Sequence, residues 1–208
     1  MKYILLFILA TSLEAQDTVR IKHTNYTTVF SKSKKYPVFV EWVDTKKNIF
    51  CVNGVKRADD FAPDPKLIKE SDVAADYKGS GFDRGHISPA ADNACYGNKV
   101  MTESFYYTNM APQYPGLNRG QWKTLEDSTR QLAIKFDSVI VRAGCVGQAK
   151  KVHTISIPTK CWKIIHVVKT KEITAYIFNN VPLKAATLAE SKTTVGAIEK
   201  LTGLKLKK

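Results

Sequence analysis

The sequence has no long apolar run beyond its first residues, no internal repeat and no low-complexity linker. Outside the N-terminal segment, no stretch is long enough to cross a bilayer, which takes about 20 apolar residues. With 44% hydrophobic and 25% charged residues, the 208-residue chain has a globular composition, which argues against the disordered and fibrous classes. This length suits one domain with a sizeable core.

Acidic residues are few relative to basic ones. The chain has 19 Asp+Glu against 32 Lys+Arg, for a formal net charge of +13. The excess is dispersed from Lys32 to the tail at Lys208, which indicates a broad positive field rather than a localisation tag. Nucleic acids are natural partners of such a field, because basic side chains release counterions from phosphates. Basic charge that only maintains solubility is the alternative.

The N-terminal segment, MKYILLFILATSLEAQD, has the layout of a secretory signal peptide. One lysine precedes the apolar run Tyr3–Ala10, and small and polar residues follow as far as Ala15. Cleavage after Ala15 would leave residues 16–208 as a single mature domain, secreted or periplasmic and free of the membrane. A buried N-terminal strand is the alternative interpretation of residues 1–15.

Cysteine is scarce, and its spacing is unlike that of most metal or redox sites. None of the 4 cysteines forms a Cys-x-x-Cys pair, which argues against a zinc or thioredoxin-type site. An even number in an exported chain predicts disulfides. Cys145–Cys161 is favoured because these residues bracket a short excursion between strand-like segments, and Cys51–Cys95 is then the second pair.

Strand-like and helix-like segments follow one another irregularly along the chain. Tyr36–Val43 has the alternation and β-branching of a strand, and the turn after it predicts a hairpin with NIFCVNG. SVIVRAG, WKIIHVVK and EITAYIFNN predict further strands, and a short helix is expected near 186–201. Because regular βαβ alternation is missing, we expect an α+β fold with a mainly antiparallel central sheet flanked by helices.

Histidine is also rare, with 4 residues, and one of them ends an unusual cluster. In SGFDRGHISPAADN, Asp83, Arg84 and His86 fall within four residues, between two glycines and a proline. On this stretch alone, a histidine satisfied in a turn by Asp83 is favoured over a catalyst. Elsewhere, His23 is expected to be solvated, and the tryptophans are expected in the core.

The segment from Asn118 to Phe136 is the clearest amphipathic helix. Its apolar stripe includes Trp122 and Leu125, and Glu126 and Arg130 lie four residues apart on the flank of that stripe. The polar Asn118 at the head of the stripe needs a partner, since an unsatisfied buried amide costs about 1–3 kcal/mol. A helix N-cap and a ligand role are both open for this residue.

Two stretches, YKGSGFDRGHISPAADN and TNMAPQYPGLNRGQWKTLED, together resemble the motifs of the DNA/RNA non-specific endonucleases with a ββα-metal site. This family includes secreted bacterial nucleases and mitochondrial endonuclease G. The matching positions are Ser80–His86, Asn109–Gln113, Asn118, Trp122 and Leu125-Glu126. Two separate motifs in the family's order and spacing make the resemblance specific, and weaker likeness covers most of the chain after Tyr36.

The resemblance implies a role for each candidate residue. His86 would deprotonate the attacking water, since a neutral histidine is a competent base near pH 7. Asn118 would be the one direct protein ligand of Mg²⁺, and Glu126 would hold metal-bound water. Asp83 would orient the site from behind these residues. The phosphate contacts implied are Arg84, Arg130 and, by a less certain alignment, Arg57.

The sequence therefore predicts a secreted, Mg²⁺-dependent endonuclease that cleaves DNA and RNA and leaves 5′-phosphates, with Mn²⁺ or another divalent cation as the alternative metal. An inhibitor protein is a further partner to consider. One rival is a metal-free ribonuclease that pairs His86 with His153 or His166 as acid and base. Another is a secreted nucleic-acid-binding protein without catalysis.

Overall fold

A computed structural model describes residues 17–51, 54–182 and 186–206, so the predicted signal peptide at 1–15 lies outside the described residues. Its main sheet has seven strands in the order β1-β2-β3-β6-β9-β10-β11, and every neighbouring pair is antiparallel. Two small antiparallel pairs, β4-β5 and β7-β8, lie outside this sheet. The predicted α+β fold with an antiparallel sheet is confirmed.

The strands are β1 (Thr18–Lys22), β2 (Tyr26–Ser31), β3 (Tyr36–Thr45), β4 (Asp83–His86), β5 (Met110–Gln113), β6 (Ser138–Val146), β7 (Lys150–Val152), β8 (Ile155–Ile157), β9 (Lys160–Val167), β10 (Ile173–Asn179) and β11 (Lys192–Thr193). The α-helices are α1 (Lys46–Ile49), α2 (Ile68–Ser71), α3 (Ala74–Tyr77), α4 (Asn98–Ser104), α5 (Lys123–Phe136), α6 (Leu188–Ser191) and α7 (Val195–Thr202). Short 3₁₀ turns cover Ala90–Tyr96 and Tyr107–Asn109.

The sheet is buried on both faces because successive side chains of its central strands point alternately into two apolar cores. On one face, Val141 and Ile165 pack in the same cluster as Leu125 and Ala133 of α5. On the other face, Trp162 and other apolar residues of β9 and β10 pack around Ile198 of α7. Helix α5 is thereby fixed against β3, β6 and β9, which sets the position of every residue that it carries.

Strands β4 and β5 and helix α5 form the ββα unit that the sequence motifs predict. Residue pairs along β4 and β5 run from Asp83 opposite Gln113 to His86 opposite Met110. Gly85 is required by close packing: a Cβ there would lie 2.1 Å from the Gln113 side-chain oxygen. The chain then reaches α5 through wide helical turns at 117–122, interrupted at Gly120, where φ is −100° and ψ is −113°.

Both expected disulfides are present. Cys145 on β6 lies directly opposite Cys161 on β9, so the bridge joins adjacent central strands. Cys51–Cys95 joins the segment after α1 to the 3₁₀ turn that follows the His86 stretch. No free cysteine occurs among the described residues.

Some local predictions were wrong. The hairpin expected after Tyr36–Val43 does not form, because α1 follows β3 and Thr45 caps it by accepting from the Asn48 backbone N–H at 3.2 Å. Strand β3 pairs with β2 and β6 instead. The C-terminal helix is two helices, α6 and α7, separated by β11. None of the helices in the described ranges has the length and apolarity needed to span a bilayer.

Candidate active site

A cleft of about 400 Å³ opens where β4, the wide turn at 117–122 and α5 meet. A second pocket of about 320 Å³ adjoins it and shares Arg57, Arg84 and Asn118 with it. The cleft brings together six of the site residues that the family resemblance implies: Arg57, Arg84, His86, Asn118, Glu126 and Arg130. The seventh, Asp83, lines the adjoining pocket.

His86 ends β4 and is buried in an aromatic surround. Its ring lies 4.8 Å from the Phe105 ring and 5.7 Å from the Phe61 ring, and its backbone oxygen accepts a 3.1 Å hydrogen bond from Trp122 Nε1. Burial, assisted by the positive charge of Arg57, lowers the pKa of His86 to about 3. The imidazole is therefore neutral at pH 7, and its Nε2 has no hydrogen-bond partner among the described residues.

Asn118 lies in the wide turn, ahead of the first residue of α5, and does not act as a helix cap. Its Nδ2 donates to Asp83 Oδ2 at 2.9 Å. Because a carboxylate only accepts, this bond fixes the amide orientation and leaves the Asn118 carbonyl oxygen for another partner. Arg119 holds the same carboxylate with two hydrogen bonds of 2.8 and 2.6 Å. Although burial raises the pKa of Asp83, the bonds from Arg119 and Asn118 lower it below its usual value.

Glu126, on the first turn of α5, is mostly buried at the floor of the cleft. Its side chain is 14% exposed, and its Oε1 lies 3.7 Å from Nζ of Lys163 on β9. Burial raises the pKa of Glu126 to about 7, and the positive charge of Lys163 opposes that rise.

Arg130, one turn further along α5, is already engaged by carboxylates. Its Nη1 donates to Asp92 at 2.8 Å, and its Nη2 donates to Asp127. Asp92 is 2% exposed, so this pair is largely removed from water. Arg130 lines the cleft, but its guanidinium is held by these neighbours.

Arg84 and Arg57 are held mainly by aromatic rings. The Arg84 guanidinium lies 4.9 Å from the Phe61 ring centroid and 5.6 Å from that of Tyr77. No salt bridge pairs Arg84 with a carboxylate in the described part of the chain. Arg57 lies 4.9 Å from the Phe105 ring and pairs with the exposed Asp59. Cation–π contacts position a guanidinium without neutralising it, so Arg84 keeps its charge for an anion.

Sequence reasoning missed the charged groups behind the cleft. Lys163 is one of the basic residues from which the sequence predicts a broad surface charge, but it is 1% exposed in the structure. The sequence does contain a sign of this burial, because Lys163 falls between Cys161 and Ile165 on the face of the strand that carries apolar residues. Asp92 carried no comparable signal, because its partners Trp42 and Arg130 come from distant segments.

The remaining histidines lie away from the cleft. His23, which was expected to be solvated, is 4% exposed, and its Nε2 lies 3.0 Å from Asp64 Oδ2. Neither His153 nor His166 is among the residues that line the cleft or its neighbour. All three tryptophans are buried, as expected.

The oxygen donors at this site fit a hard divalent cation. The Asn118 carbonyl oxygen is left available by the bond to Asp83, and the Glu126 carboxylate lines the same cleft. Mg²⁺ in proteins is held by one or two such oxygens together with water and substrate phosphate. A metal here would be bound by Asn118 and approached by Glu126.

Curated relatives of this chain are nucleases. It is 29% identical to Nuclease 1, mitochondrial, of Schizosaccharomyces pombe over 90% of this chain and 65% of that protein. It is 30% identical to human mitochondrial endonuclease G over 73% of this chain and 57% of that protein, and 35% identical to Nuclease C1 of Cunninghamella echinulata over 67% and 62%. The chain thus spans about three fifths of the length of these relatives.

The fold agrees with this similarity. A crystal structure of the EndoG/EndoGI complex superposes with a TM-score of 0.80 at 24% identity, covering 90% of this chain and 84% of that one. A family model for the DNA/RNA non-specific endonucleases matches residues 7–208. The chain, with its two motifs brought to one cleft on a ββα unit, belongs to the DNA/RNA non-specific endonuclease family.

Proposed function

We propose that this protein is a divalent-metal-dependent endonuclease that hydrolyses phosphodiester bonds in DNA and RNA. One observation carries the proposal: a neutral buried histidine shares a cleft with two oxygen donors and with Arg84, which none of the described salt bridges neutralises. Phosphodiester hydrolysis requires these groups: a general base, a binding site for a cation and a positively charged side chain that contacts the phosphate. Mg²⁺ is the proposed metal, with Mn²⁺ as the alternative.

His86 acts as the general base in this mechanism. Its neutral ring takes a proton from water as the water oxygen forms a bond to phosphorus. With a pKa of about 3, His86 is neutral near pH 7, which is the form that accepts a proton, although so low a pKa also makes it a weak base. The aromatic rings of Phe61 and Phe105 hold the imidazole in place.

The charged residues of the cleft position the scissile phosphate. Arg84 and Arg57 contact its non-bridging oxygens, and Arg130, which is paired with Asp92 and Asp127, supports the site from α5. Asp83 accepts from the Asn118 side-chain amide, which leaves the Asn118 carbonyl oxygen to bind the cation. A bound Mg²⁺ would supply charge neutralisation for the phosphate and the departing oxygen. The bond to O3′ breaks, which leaves a 5′-phosphate.

The same contacts explain why the cleavage would be non-specific. The proposed substrate contacts are arginines directed to phosphate, which position a strand without reading its bases. The net charge of +13 adds a long-range attraction that is common to DNA and RNA. We therefore expect activity on both nucleic acids and a decline with added salt.

The two rival functions account for less of the site. A two-histidine ribonuclease needs a second histidine beside His86, and neither His153 nor His166 lines the cleft. A binding protein has no need of a buried neutral histidine beside Asn118 and Glu126. We retain both as outcomes of the test below.

Export is part of the proposal. Cleavage after Ala15 would release residues 16–208 as the nuclease domain, and two disulfides are compatible with an oxidising compartment. N-terminal sequencing of protein recovered from the periplasm or medium should begin at Gln16. An inhibitor protein is proposed by analogy with the EndoG/EndoGI complex, and it would act by covering the basic cleft.

The test incubates the purified protein with supercoiled plasmid and with RNA, in Mg²⁺ and in EDTA. We expect cleavage of both substrates in Mg²⁺, none in EDTA, and recovery when excess Mg²⁺ is returned. End analysis should find 5′-phosphates. RNA cleavage alone that survives EDTA would support the two-histidine ribonuclease, and retarded but uncut DNA would support the binding protein. Either result would overturn the proposal.

A further inference from the structure

A fully buried lysine lies directly behind the cleft. Lys163 is 1% exposed and sits in the middle of β9, one of the central strands of the sheet. Its strand neighbours on the same face, Cys161 and Ile165, belong to the apolar core beneath α5. Lysine is almost never fully buried unless its ammonium is paired, so this position needs an explanation.

The ammonium of Lys163 is held between aromatic rings and one carboxylate. Nζ lies 4.1 Å from the Trp122 ring centroid and 5.7 Å from that of Trp42. The one described salt bridge of Lys163 is to Glu126 Oε1, at 3.7 Å. Nζ donates no hydrogen bond to any described residue, so the ammonium is held by the charge of the carboxylate and by the faces of the two rings.

The two other buried carboxylates nearby make their hydrogen bonds with other donors. Asp92 accepts from Arg130 Nη1 at 2.8 Å and from Trp42 Nε1 at 3.2 Å. Asp44 accepts from Trp42 Nε1 through Oδ2 at 3.2 Å, and its Oδ1 has no hydrogen-bond partner among the described residues. Of the described carboxylates, Glu126 is the one that lies within ion-pair distance of Lys163 Nζ.

We propose that Lys163 is a positioning residue, which holds the Glu126 carboxylate at the floor of the cleft by pairing with Oε1 from behind. Strand β9 is paired on both sides, with β6 and β10, and the Trp122 ring covers the ammonium from the α5 side. Glu126 is thereby anchored through one oxygen, while its second oxygen is left for the water and cation expected in the cleft. This inference rests on the proposed function for its catalytic consequence, but not for the pairing itself.

The catalytic test is a double-mutant cycle with Lys163→Met and Glu126→Gln. Methionine keeps the apolar stem over Trp122 and removes the charge. Because Lys163 acts through Glu126, kcat should fall about 10- to 100-fold while KM for DNA is unchanged. In the Glu126→Gln background, Lys163→Met should cause no further loss. An equal loss in both backgrounds, or an unchanged kcat in the single variant, would overturn the proposal.

Ile165→Ala is the matched control. Ile165 lies on the same face of the same strand and is buried in the same core, but no described charged pair involves it. Its kcat per folded molecule should match the wild type although its melting temperature falls. A loss of kcat as large as that of Lys163→Met would show that any loosening of β9 suffices, and would count against Lys163.

A second measurement does not depend on turnover. In a crystal structure of Lys163→Met, the Glu126 carboxylate should leave its position facing β9, and an unchanged position would overturn the proposal. Wild-type protein that does not cleave would instead be a failure of the nuclease function. If Lys163→Met does not fold, Lys163→Met/Glu126→Gln should fold again because both charges are removed. A double variant that is no better folded would overturn the pairing.

Discussion

The arginines on the two walls of the cleft have different neighbours. On the β4 wall, Arg84 lies against the rings of Phe61 and Tyr77, and none of the described salt bridges gives it a carboxylate. On the α5 wall, Arg130 donates to Asp92 and Asp127. Under the proposed function, an incoming phosphate would meet an unneutralised guanidinium on the first wall and an arginine already paired with two carboxylates on the second. Arg84 would then bind substrate, whereas Arg130 would hold the site together.

Arg130→Gln should have the largest effect on stability, because it leaves the buried Asp92 carboxylate without its main partner. We expect a loss of about 3 kcal/mol in the free energy of unfolding, the low end for a broken buried pair. Arg84→Gln is the matched variant and should lose about 1 kcal/mol or less, the scale of a cation–π contact. Urea unfolding of both proteins measures the difference, and equal losses would remove the distinction between the walls.

Asn118→Ala should lose activity without losing stability. The residue is not a helix cap, so the melting temperature should stay near that of the wild type. The activity in Mg²⁺ should fall by about 100-fold, at least as much as removal of a supporting partner costs at a metal site. Asp83→Asn, which keeps one acceptor oxygen but removes the negative charge that holds Asn118 and Arg119, should reduce activity less. A large drop in melting temperature with activity preserved per folded molecule would refute the ligand role of Asn118.

His86 makes stability depend on pH. Its pKa of about 3 in the folded protein lies below the 6.5 of the unfolded chain, so the unfolded chain binds more protons between these values. Its contribution is fully present above pH 6.5 and is lost as the pH falls, by about 1.4 kcal/mol per pH unit. His86→Asn should flatten the stability profile between pH 6 and pH 4 by this slope. Parallel profiles for the two proteins would contradict the burial argument.

Arg84 should contribute one phosphate contact to binding. In Arg84→Gln, the slope of log affinity for DNA against log salt should be reduced by about one unit, with a similar weakening on every sequence tested. Arg130→Gln should change this slope less, because its charge is already shared with two carboxylates. Binding to catalytically inactive backgrounds at several salt concentrations gives the slopes. A larger change for Arg130 would reverse the assignment of the walls.

Much of this architecture was readable from the sequence because it depends on local patterns. Strand alternation predicted β3, β6, β9 and β10, and the spacing of Cys145 and Cys161 predicted a bridge between neighbouring strands. The resemblance of the two motifs to the endonuclease family predicted which residues meet in the cleft.

What the sequence did not predict depends on contacts between distant segments. The burial of His23 depends on Asp64, and that of Lys163 on Glu126 from another element. The wide turn around Gly120 also escaped prediction, because the apolar stripe runs through it and resembles one continuous helix. The spacing of apolar residues indicates which face of a helix or strand is buried, but not which charged side chain of another segment packs against that face.

The central claim is that His86 is the base of a metal-dependent nuclease, and single-turnover cleavage of plasmid by wild type and His86→Ala tests it most directly. In Mg²⁺, the variant should cleave about 10²- to 10⁴-fold more slowly, the usual contribution of a general base. Its affinity for DNA should be unchanged, because the arginines of the cleft remain. Cleavage by His86→Ala at a rate close to that of the wild type would contradict the account.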